Sequence, residues 1–213
     1  MNIKLENVLP HPLASMSHSE NSIWNARIDL FPGQKVIADA YSGKGKSTLI
    51  AILFGVRSDY EGTIYFDDKA ISNFSMNDWS DLRRNKISAV FQDLQLFPNL
   101  SVKDNLLLKN QLTNSYSEKE ILLLIERVGL KDKWEQKCGN LSMGQQQRVA
   151  VIRSLLQPFD WLFLDEPFSH LDKVNTDICL ELILEKSNTK NSGVLLTTLG
   201  EDYSVKWDQH LYL

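Results

Sequence analysis

The 213-residue sequence lacks the long hydrophobic run that a membrane-spanning helix requires. Its longest uninterrupted aliphatic stretch covers only positions 121–125, whereas a span takes about 20 predominantly apolar residues. The N-terminal segment contains no apolar core of the kind found in secretory signals. We therefore expect a soluble, cytoplasmic protein that crosses no membrane by itself.

Cysteine is scarce, and neither sign of charge dominates. Cys138 and Cys179 are too few for a disulfide framework, and free thiols suit a reducing compartment. The formal net charge is −4, which disfavours a protein that holds DNA or RNA on a broad basic face. A local basic pocket remains compatible with this charge. We expect no nucleic-acid partner.

The remaining composition is typical of a folded globular protein. Hydrophobic residues make up 43% of the chain and charged residues 23%. Glycine and proline are scattered, and neither a repeat nor a low-complexity linker divides the sequence. We predict a single domain over residues 1–213.

Strand patterns at both ends of the chain flank a helical middle. The strand candidates lie at 3–6, 28–31, 35–38, 63–66, 87–91, 161–164 and 194–196. The last two are apolar throughout, which is typical of strands covered on both faces of a parallel sheet. Positions 101 to about 157 and 172–185 have a helical pattern. This order predicts an α/β core with a helical insertion.

Two segments have the capping-box spacing that starts a helix. Ser117 is followed three positions later by Glu120, and Ser142 by Gln145. An apolar stripe at 121, 122, 124, 125 and 128 follows the first box, and Gly129 is expected to end that helix.

The segment after the strand at 35–38 is close to the phosphate-loop pattern G-x-x-x-x-G-K-[ST], with Ala40 at the first glycine. Gly43 and Gly45 allow backbone N–H groups to approach a phosphate, and the following helix favours an anion at its N-terminus. We expect Lys46 to reach the β- and γ-phosphates and the Ser47 hydroxyl to bind Mg²⁺. The predicted phosphate-binding residues are Ser42, Gly43, Lys44, Gly45, Lys46, Ser47 and Thr48.

Two residues at the start of this loop are unusual. Ala40 is tolerable where its φ is negative. Asp39 places a carboxylate at the end of a buried strand, where an unpaired charge is costly. The sequence offers no explanation for Asp39.

An acidic pair, Asp165 and Glu166, follows the apolar strand at 161–164. Alone, such a pair is more typical of a solvated strand end. A phosphate-loop enzyme, however, needs one acid near the metal and one group that orients the attacking water. Because adjacent strand residues point to opposite faces, we assign Asp165 to the metal and Glu166 to catalysis.

The segment from Leu141 to Gln145, Leu-Ser-Met-Gly-Gln, resembles the Leu-Ser-Gly-Gly-Gln signature of ATP-binding cassette (ABC) ATPases. Further motifs occur in the family's order. Gln92 resembles its Q-loop, and positions 169–172, ending at Asp172, resemble its D-loop. The resemblance covers essentially the whole chain.

This resemblance implies a fold, ligands and partners. The fold is a RecA-like P-loop core with an antiparallel β subdomain, at about 1–92 and 158–213, and a helical subdomain at about 93–157. The ligands are ATP and Mg²⁺, with Ser47, Gln92 and Asp165 at the metal. The partner is a second copy, arranged head to tail. Its signature residues Ser142, Met143, Gly144 and Gln145 are expected to face the ATP.

The sequence departs from the family pattern at several positions. Met143 replaces a glycine, which weakens ATP binding in trans unless its side chain points away. Thr198 and Leu199 stand where the family has a switch histidine and an aspartate. A threonine hydroxyl can hydrogen-bond a γ-phosphate, so Thr198 is a candidate catalytic residue. Because it cannot become cationic, we predict slow turnover with binding and dimerisation retained. The adenine-stacking region has no aromatic side chain other than His11, whose alternative is a plain loop histidine.

Apolar residues after the Q-loop predict a partner surface. In ABC transporters this region accepts a cytoplasmic helix of the membrane subunit, although the same residues could equally form core. They are Leu94, Leu96, Phe97, Pro98 and Leu100.

We interpret the chain as the ATP-hydrolysing subunit of an ABC transporter, bound at the inner face of the cell membrane to an integral membrane permease. The cassettes of lipoprotein-release, macrolide-export and cell-division systems are the most similar type. One alternative is a regulatory cassette with little hydrolysis, which Thr198 and Met143 favour and Glu166 opposes. A soluble ABC protein that acts on nucleic acid is disfavoured by the single cassette and the negative charge.

Overall fold

A computed structural model describes residues 1–201 and 203–213. The strands of these residues are β1 (Ile3–Pro10), β2 (Arg27–Leu30), β3 (Lys35–Asp39), β4 (Tyr60–Phe66), β5 (Lys69–Ala70), β6 (Ile87–Val90), β7 (Trp161–Asp165), β8 (Gly193–Thr198) and β9 (Gln209–Tyr212). The α-helices are α1 (Lys46–Leu53), α2 (Met76–Asn85), α3 (Val102–Asn110), α4 (Glu118–Arg127), α5 (Met143–Leu155) and α6 (Lys173–Thr189).

The strands form two sheets. One is antiparallel, in the order β2-β1-β4-β5, and the other is parallel, in the order β6-β7-β8-β3-β9. The expected α/β fold with both kinds of sheet is therefore confirmed. Every residue of β7 and β8 is buried, as expected for parallel strands covered on both faces.

Strand β7 divides its side chains between two hydrophobic clusters. Trp161 and Phe163 pack with α1 and the antiparallel sheet, whereas Leu162 and Leu164 pack with the helices α3 to α6. This alternation follows from the period of two along a strand. The parallel sheet is thus the wall that both halves of the molecule share.

Strand register brings three loops to one edge of the parallel sheet. Asp39 of β3 pairs with Thr198 of β8, and Asp165 of β7 pairs with Thr197. The segments after β3, β7 and β8 therefore emerge side by side at the carboxyl ends of the strands, where ligands bind in open α/β sheets.

The predicted helix starts are confirmed. Ser117 and Ser142 both form complete capping boxes, with Glu120 and Gln145 respectively. Within the predicted stripe, Ile121, Ile125 and Val128 are buried, and the residues at 122 and 124 are partly buried. Gly129 follows the helix with a φ of +69°, which suits a glycine at the end of a helix.

Several predicted boundaries were wrong. The helical stretch at 101–157 is three helices, α3, α4 and α5, and the turns at Lys131–Lys133 and Cys138–Asn140 lie between the last two. Strand β2 ends at Leu30, since the Phe31 N–H donates to Gln34 Oε1 at 2.8 Å. Helix α6 continues to Thr189, beyond the predicted end at 185.

Helix α2 and strand β9 were not predicted. Helix α2 has no buried residue, so no apolar stripe indicates it; the Ser75–Asp78 capping box starts it. Strand β9 has only one buried residue and depends on its parallel pairing with β3.

Both cysteines are free and buried. Burial raises the pKa of the Cys138 thiol to about 11 and that of Cys179 to about 12, so both stay protonated at neutral pH. None of the helices in the described residues is long and apolar enough to cross a bilayer.

Candidate functional site

The loop between β3 and α1 has the backbone conformation of a phosphate-binding loop. Gly43 and Gly45 have φ values of +82° and +104°, which glycine adopts without strain. A Cβ atom on Gly45 would lie 2.6 Å from Leu13 and 2.9 Å from Trp24, so packing also requires this glycine. The Trp24 indole N–H donates to Lys44 O at 3.3 Å and ties the loop to the segment before β2.

Lys46 occupies the centre of this loop. Its Nζ donates to Ala40 O at 2.7 Å and to Tyr41 O at 3.2 Å, and it lies 3.3 Å from Glu166 Oε1. The lysine side chain is only 5% exposed. The φ of Ala40 is not positive, which explains how alanine replaces the expected glycine. Lys46 is thus a buried cation that two carbonyls and one carboxylate hold.

The acidic pair at the end of β7 is held by the next strand. Thr197 Oγ1 donates to Asp165 Oδ1 at 2.9 Å and accepts from the Glu166 N–H at 3.2 Å. Glu166 has a φ of +46°, a left-handed conformation that is strained for a residue with a side chain. The two carboxylates consequently separate, with Asp165 bonded to Thr197 and Glu166 facing Lys46.

Two of the three expected metal ligands lie next to each other. The Ser47 hydroxyl is 3.4 Å from Gln92 Oε1. Together with the Asp165 carboxylate, these groups supply only oxygen donors, which is the donor type that Mg²⁺ prefers. The donor set of Ser47, Gln92 and Asp165 therefore fits a magnesium ion.

The residues after β8 form a turn that is held by hydrogen bonds among its own groups. Thr198 is buried, and its hydroxyl donates to Glu201 Oε2. The Leu199 N–H donates to the same oxygen at 3.0 Å, and the Glu201 N–H donates back to Thr198 Oγ1 at 3.1 Å. The hydroxyl expected at the γ-phosphate is thus engaged by a neighbouring carboxylate.

Tyr203 lies beside this turn. Its ring contacts Phe168 edge-on at a centroid distance of 5.3 Å. Burial raises the pKa of the Tyr203 phenol to about 12. A hydrogen bond with Thr198 opposes this rise. The phenol therefore remains protonated at neutral pH.

Asp39 is the unexplained carboxylate of the site. Its Oδ1 is buried and has no hydrogen-bond partner in the part of the chain that the structure describes. Burial raises the pKa of Asp39 and the charge of Glu201 raises it further, while His210 and Lys46 lower it. The free-energy cost of burying this carboxylate, which the sequence predicts, is therefore only partly offset by His210 and Lys46.

The predicted signature residues lie at the start of α5. The Gln145 N–H donates to Ser142 Oγ at 3.3 Å, and the Ser142 N–H donates to Gln145 Oε1 at 3.0 Å. The Met143 side chain is 45% exposed. A Cβ on Gly144 would lie 2.6 Å from His170 O, so this glycine allows the D-loop backbone to approach.

Gln147 joins this helix start to the D-loop. Its Nε2 donates to Ser169 Oγ at 2.9 Å, and its Oε1 accepts from the His170 N–H at 2.9 Å. Asp172 caps α6 by accepting from the Asn175 N–H at 2.8 Å. The signature and the D-loop therefore form one hydrogen-bonded unit at the start of two helices.

Comparison with known proteins identifies the family. The family described as ABC transporter matches residues 24–169. The chain belongs to this family.

The relatives include an uncharacterized ABC transporter ATP-binding protein of Mycobacterium tuberculosis, 32% identical over 80% of this chain. The chain spans about half of that relative, 52% of its length. The lipoprotein-releasing system ATP-binding protein LolD of Leptospira interrogans is 28% identical over 87% of this chain and 79% of its own.

Among solved structures, the dimeric ABC transporter cassette MJ0796 superposes with a TM-score of 0.85 at 25% identity, covering 99% of this chain and 94% of that one. The same cassette bound to ADP and Pi gives a TM-score of 0.82 at 26% identity, with the same coverage of both chains.

In this ABC cassette, the segment after Gln92 is tied to the signature helix. Leu94 and Gln95 have φ values of +58° and +52°, both strained for residues with side chains. The Arg153 guanidinium donates to Leu94 O at 2.7 Å and to Gln95 O at 2.6 Å. Arg153 thus holds the Q-loop in a conformation that it would not adopt alone.

The apolar residues of the predicted partner surface separate into two groups. Leu94 is buried, Leu96 and Leu100 are partly buried, and Phe97 and Pro98 are exposed. Phe97 lines a cavity of about 380 Å³ that α3 completes, with Leu108, Lys109 and Leu112. Burial lowers the pKa of Lys109 to about 8, and the charge of Arg153 lowers it further.

His11 lies in an exposed turn after β1, where its N–H donates to Asp59 O at 2.9 Å. It is not among the residues that line a cavity of about 550 Å³ beside the phosphate loop, whereas His18, Tyr41, Lys44 and Tyr212 are. The adenine-stacking role of His11 stays a prediction.

Sequence reasoning missed Thr197, Gln147 and Glu201 as contributors to the site. Thr197 depends on the register between β7 and β8, and Gln147 on a contact between α5 and the D-loop. For Glu201 a signal was present, because Thr198 and Glu201 have the spacing of a capping box.

Proposed function

We propose that this cassette binds Mg-ATP, hydrolyses it and thereby drives a separate membrane permease. The observation that carries the proposal is the position of Lys46, 3.3 Å from Glu166 at the centre of the glycine loop. This places a phosphate-binding cation next to a candidate catalytic carboxylate. Membership of the ABC transporter family supports the same conclusion.

The chain's own residues suggest how the reaction proceeds. Backbone N–H groups from Ser42 to Thr48 surround the phosphates, and Lys46 exchanges its carbonyl partners for phosphate oxygens. Glu166 then orients the attacking water and accepts its proton. Ser47, Gln92 and Asp165 would hold Mg²⁺, which when bound neutralises charge on the transferred phosphoryl group.

We propose that a second copy completes the site. Ser142 and the Gly144 N–H lie at the N-terminus of α5, where an anion is favoured. The side chain of Met143 is exposed, so the backbone of this turn stays available to a nucleotide held by the partner copy. The dimeric MJ0796 cassette is the structural relative that supports this arrangement.

The permease surface that we propose is the cavity at the Q-loop. Phe97, Leu108 and Leu112 offer exposed apolar area, and Lys109 adds a cation with no acidic partner within ion-pair distance in the described part of the chain. These groups suit an amphipathic helix with an acidic residue. Arg153 connects this surface to α5, so a nucleotide-dependent movement of α5 would reach the partner.

The subdomain boundaries and the location are part of the same proposal. The core comprises about 1–92 and 158–213, and the helical subdomain about 93–157. The cassette acts on the inner face of the cell membrane through its permease. The similarity to LolD supports a lipoprotein-release type of system.

Slow turnover is a further element of the proposal. Thr198 is buried and its hydroxyl is engaged by Glu201, so the switch contact of the family is lacking on this chain. A regulatory cassette without hydrolysis is less well supported, because Glu166 and Lys46 are in place.

Phosphate release by the purified chain tests the hydrolytic part. We expect slow, Mg²⁺-dependent release that Lys46→Ala abolishes and that Thr198→His increases. Release unaffected by Lys46→Ala would refute the proposed site. Release that Thr198→His does not increase would refute the explanation of slow turnover.

Co-purification from solubilised membranes tests the partner. We expect an integral membrane permease, identified by mass spectrometry, to accompany the wild-type chain. Phe97→Asp should abolish this association while the melting temperature is maintained; Phe31→Asp, another exposed phenylalanine, is the control. Loss with both variants, or with neither, would contradict the assigned surface.

A further inference from the structure

The turn that carries Glu201 lies against the phosphate loop. The Ala40 N–H donates to Thr198 O at 3.4 Å, and Ala40 O is one of the two carbonyls that hold Lys46. Asp39, which precedes Ala40, pairs with Thr198 across the parallel sheet. The turn after β8 and the lysine of the phosphate loop are therefore separated only by the first residues of that loop.

The Glu201 carboxylate is charged and acts on this lysine. Hydrogen bonds from Thr198 keep the pKa of Glu201 below its usual value, and the charge of Lys46 lowers it further. In the proposed function the Lys46 ammonium binds the β- and γ-phosphates. A negative charge near Lys46 therefore reduces the electrostatic attraction between this site and those phosphates.

The carboxylate also binds the Thr198 hydroxyl at the switch position. The Thr198 hydroxyl donates a hydrogen bond to the Glu201 carboxylate and accepts one from the Glu201 N–H. The threonine is buried, so its hydroxyl cannot turn to a nucleotide while this pair of bonds is intact.

We infer that Glu201 determines the preference of this cassette between ATP and ADP. It withholds the Thr198 hydroxyl and places a negative charge beside the γ-phosphate position, so that ATP binding is weakened more than ADP binding. The inference rests on the proposed binding of Mg-ATP at the phosphate loop. Glu201 acts here as a specificity residue and needs no direct contact with the nucleotide.

A purely structural role for Glu201 would give a different result. The glutamine of Glu201→Gln keeps a side-chain oxygen that accepts from Thr198 and from the Leu199 N–H. The substitution therefore removes the charge and preserves the turn. If Glu201 only stabilised the turn, this variant would bind both nucleotides as the wild type does.

Calorimetric titration measures the effect directly. Mg-ADP and the Mg complex of a non-hydrolysable ATP analogue are titrated into the wild-type chain and Glu201→Gln. We expect the Kd of the analogue to fall about tenfold and that of ADP to change less than about twofold. The difference in analogue affinity between the wild-type chain and Glu201→Gln should decrease as the salt concentration rises from about 0.05 to about 0.5 M, since salt screens exposed charges.

A control variant completes the experiment. Glu181→Gln makes the same charge change on an exposed residue of α6 and should alter neither Kd.

The outcomes separate this inference from the function on which it rests. The role of Glu201 would be overturned if Glu201→Gln changed the two Kd values equally, left both unchanged or weakened binding of the analogue. It would also be overturned if the change in Kd did not depend on salt. Failure of the wild-type chain to bind either nucleotide would instead overturn the proposed function.

Discussion

The two halves of the proposed nucleotide site differ in how their polar groups are satisfied. At the phosphate loop, Lys46 is buried and held by carbonyls and by Glu166 of the same chain. At the start of α5, Ser142 is exposed and Met143 is 45% exposed. The hydrogen bonds of that turn are those of its own capping box.

This difference shows which half can act alone. The phosphate loop already provides a cation, a carboxylate and oxygen donors within one chain, so it needs only to release internal partners when a nucleotide binds. The signature turn presents its helix N-terminus outward, and the D-loop packs and hydrogen-bonds behind it. We therefore expect variants to separate nucleotide binding, which the first half controls, from assembly and turnover, which require the second.

The largest expected effect is on hydrolysis. Glu166→Gln should reduce phosphate release by about 100-fold or more, because the candidate general base is lost while the side chain keeps its size. Mg-ATP binding should persist, since the loop and Lys46 are unchanged. Phosphate release and calorimetry measure the two quantities. Turnover within a few-fold of wild type would show that another group activates the water.

The next effect concerns the close approach of the D-loop to α5. Gly144→Ala should lower the free energy of unfolding by about 3 kcal/mol, because the added Cβ would lie 2.6 Å from His170 O and the backbone must shift. Mg-ADP affinity should remain at the wild-type value if the two halves are independent. Urea unfolding and ADP titration check this; a parallel loss of ADP binding would show that the halves are coupled.

Removal of the link between signature and D-loop should be somewhat milder. Gln147→Leu leaves Ser169 Oγ and the His170 N–H without this partner, and should lower the free energy of unfolding by about 2 kcal/mol. The matched control is Gln146→Leu, which removes a single bond to Leu141 O at 3.0 Å. Equal losses in urea unfolding for both variants would argue against a special role for Gln147.

The smallest effect is expected at Asp39, and its size depends on pH. Because the folded protein raises the Asp39 pKa, the stability associated with the neutral carboxyl is complete below the unfolded pKa. It is lost as the pH rises through the folded pKa. Asp39→Asn should therefore stabilise the chain by about 1 kcal/mol at a pH above the folded pKa, because it removes a charge whose buried Oδ1 has no hydrogen-bond partner within 1–201 and 203–213.

Urea unfolding across a range of acid and neutral pH measures this effect. The advantage of Asp39→Asn should disappear in acid, where the wild-type carboxyl is also neutral. A gain that is the same at every pH would mean that charge burial is not its cause.

Motifs that depend on short stretches of chain could be located from the sequence. The glycine loop, the acidic pair after an apolar strand and the two serine capping boxes each follow from local chemistry. The motif order was sufficient for family membership. The structure adds a contact at Gly144 that the sequence did not indicate, since a Cβ there would lie 2.6 Å from His170 O of the D-loop.

Relationships between distant segments could not be obtained in this way. That Thr197 binds Asp165 and the Glu166 N–H depends on the register of β7 against β8. Gln147 meets the D-loop only after two helices have packed. Helix α2 has no buried face, so no periodic pattern indicates it.

Thus local composition and spacing were enough to establish the chemistry offered by this chain, because a phosphate loop needs particular residues at adjacent positions. The packing of β3, β7 and β8 determined which other side chains lie next to these residues. Sheet register puts Asp39 against Thr198, and Glu201 then engages the threonine hydroxyl that the sequence suggested for the γ-phosphate. Such a competition between hydrogen-bond partners depends on distances in space, which residue order does not contain.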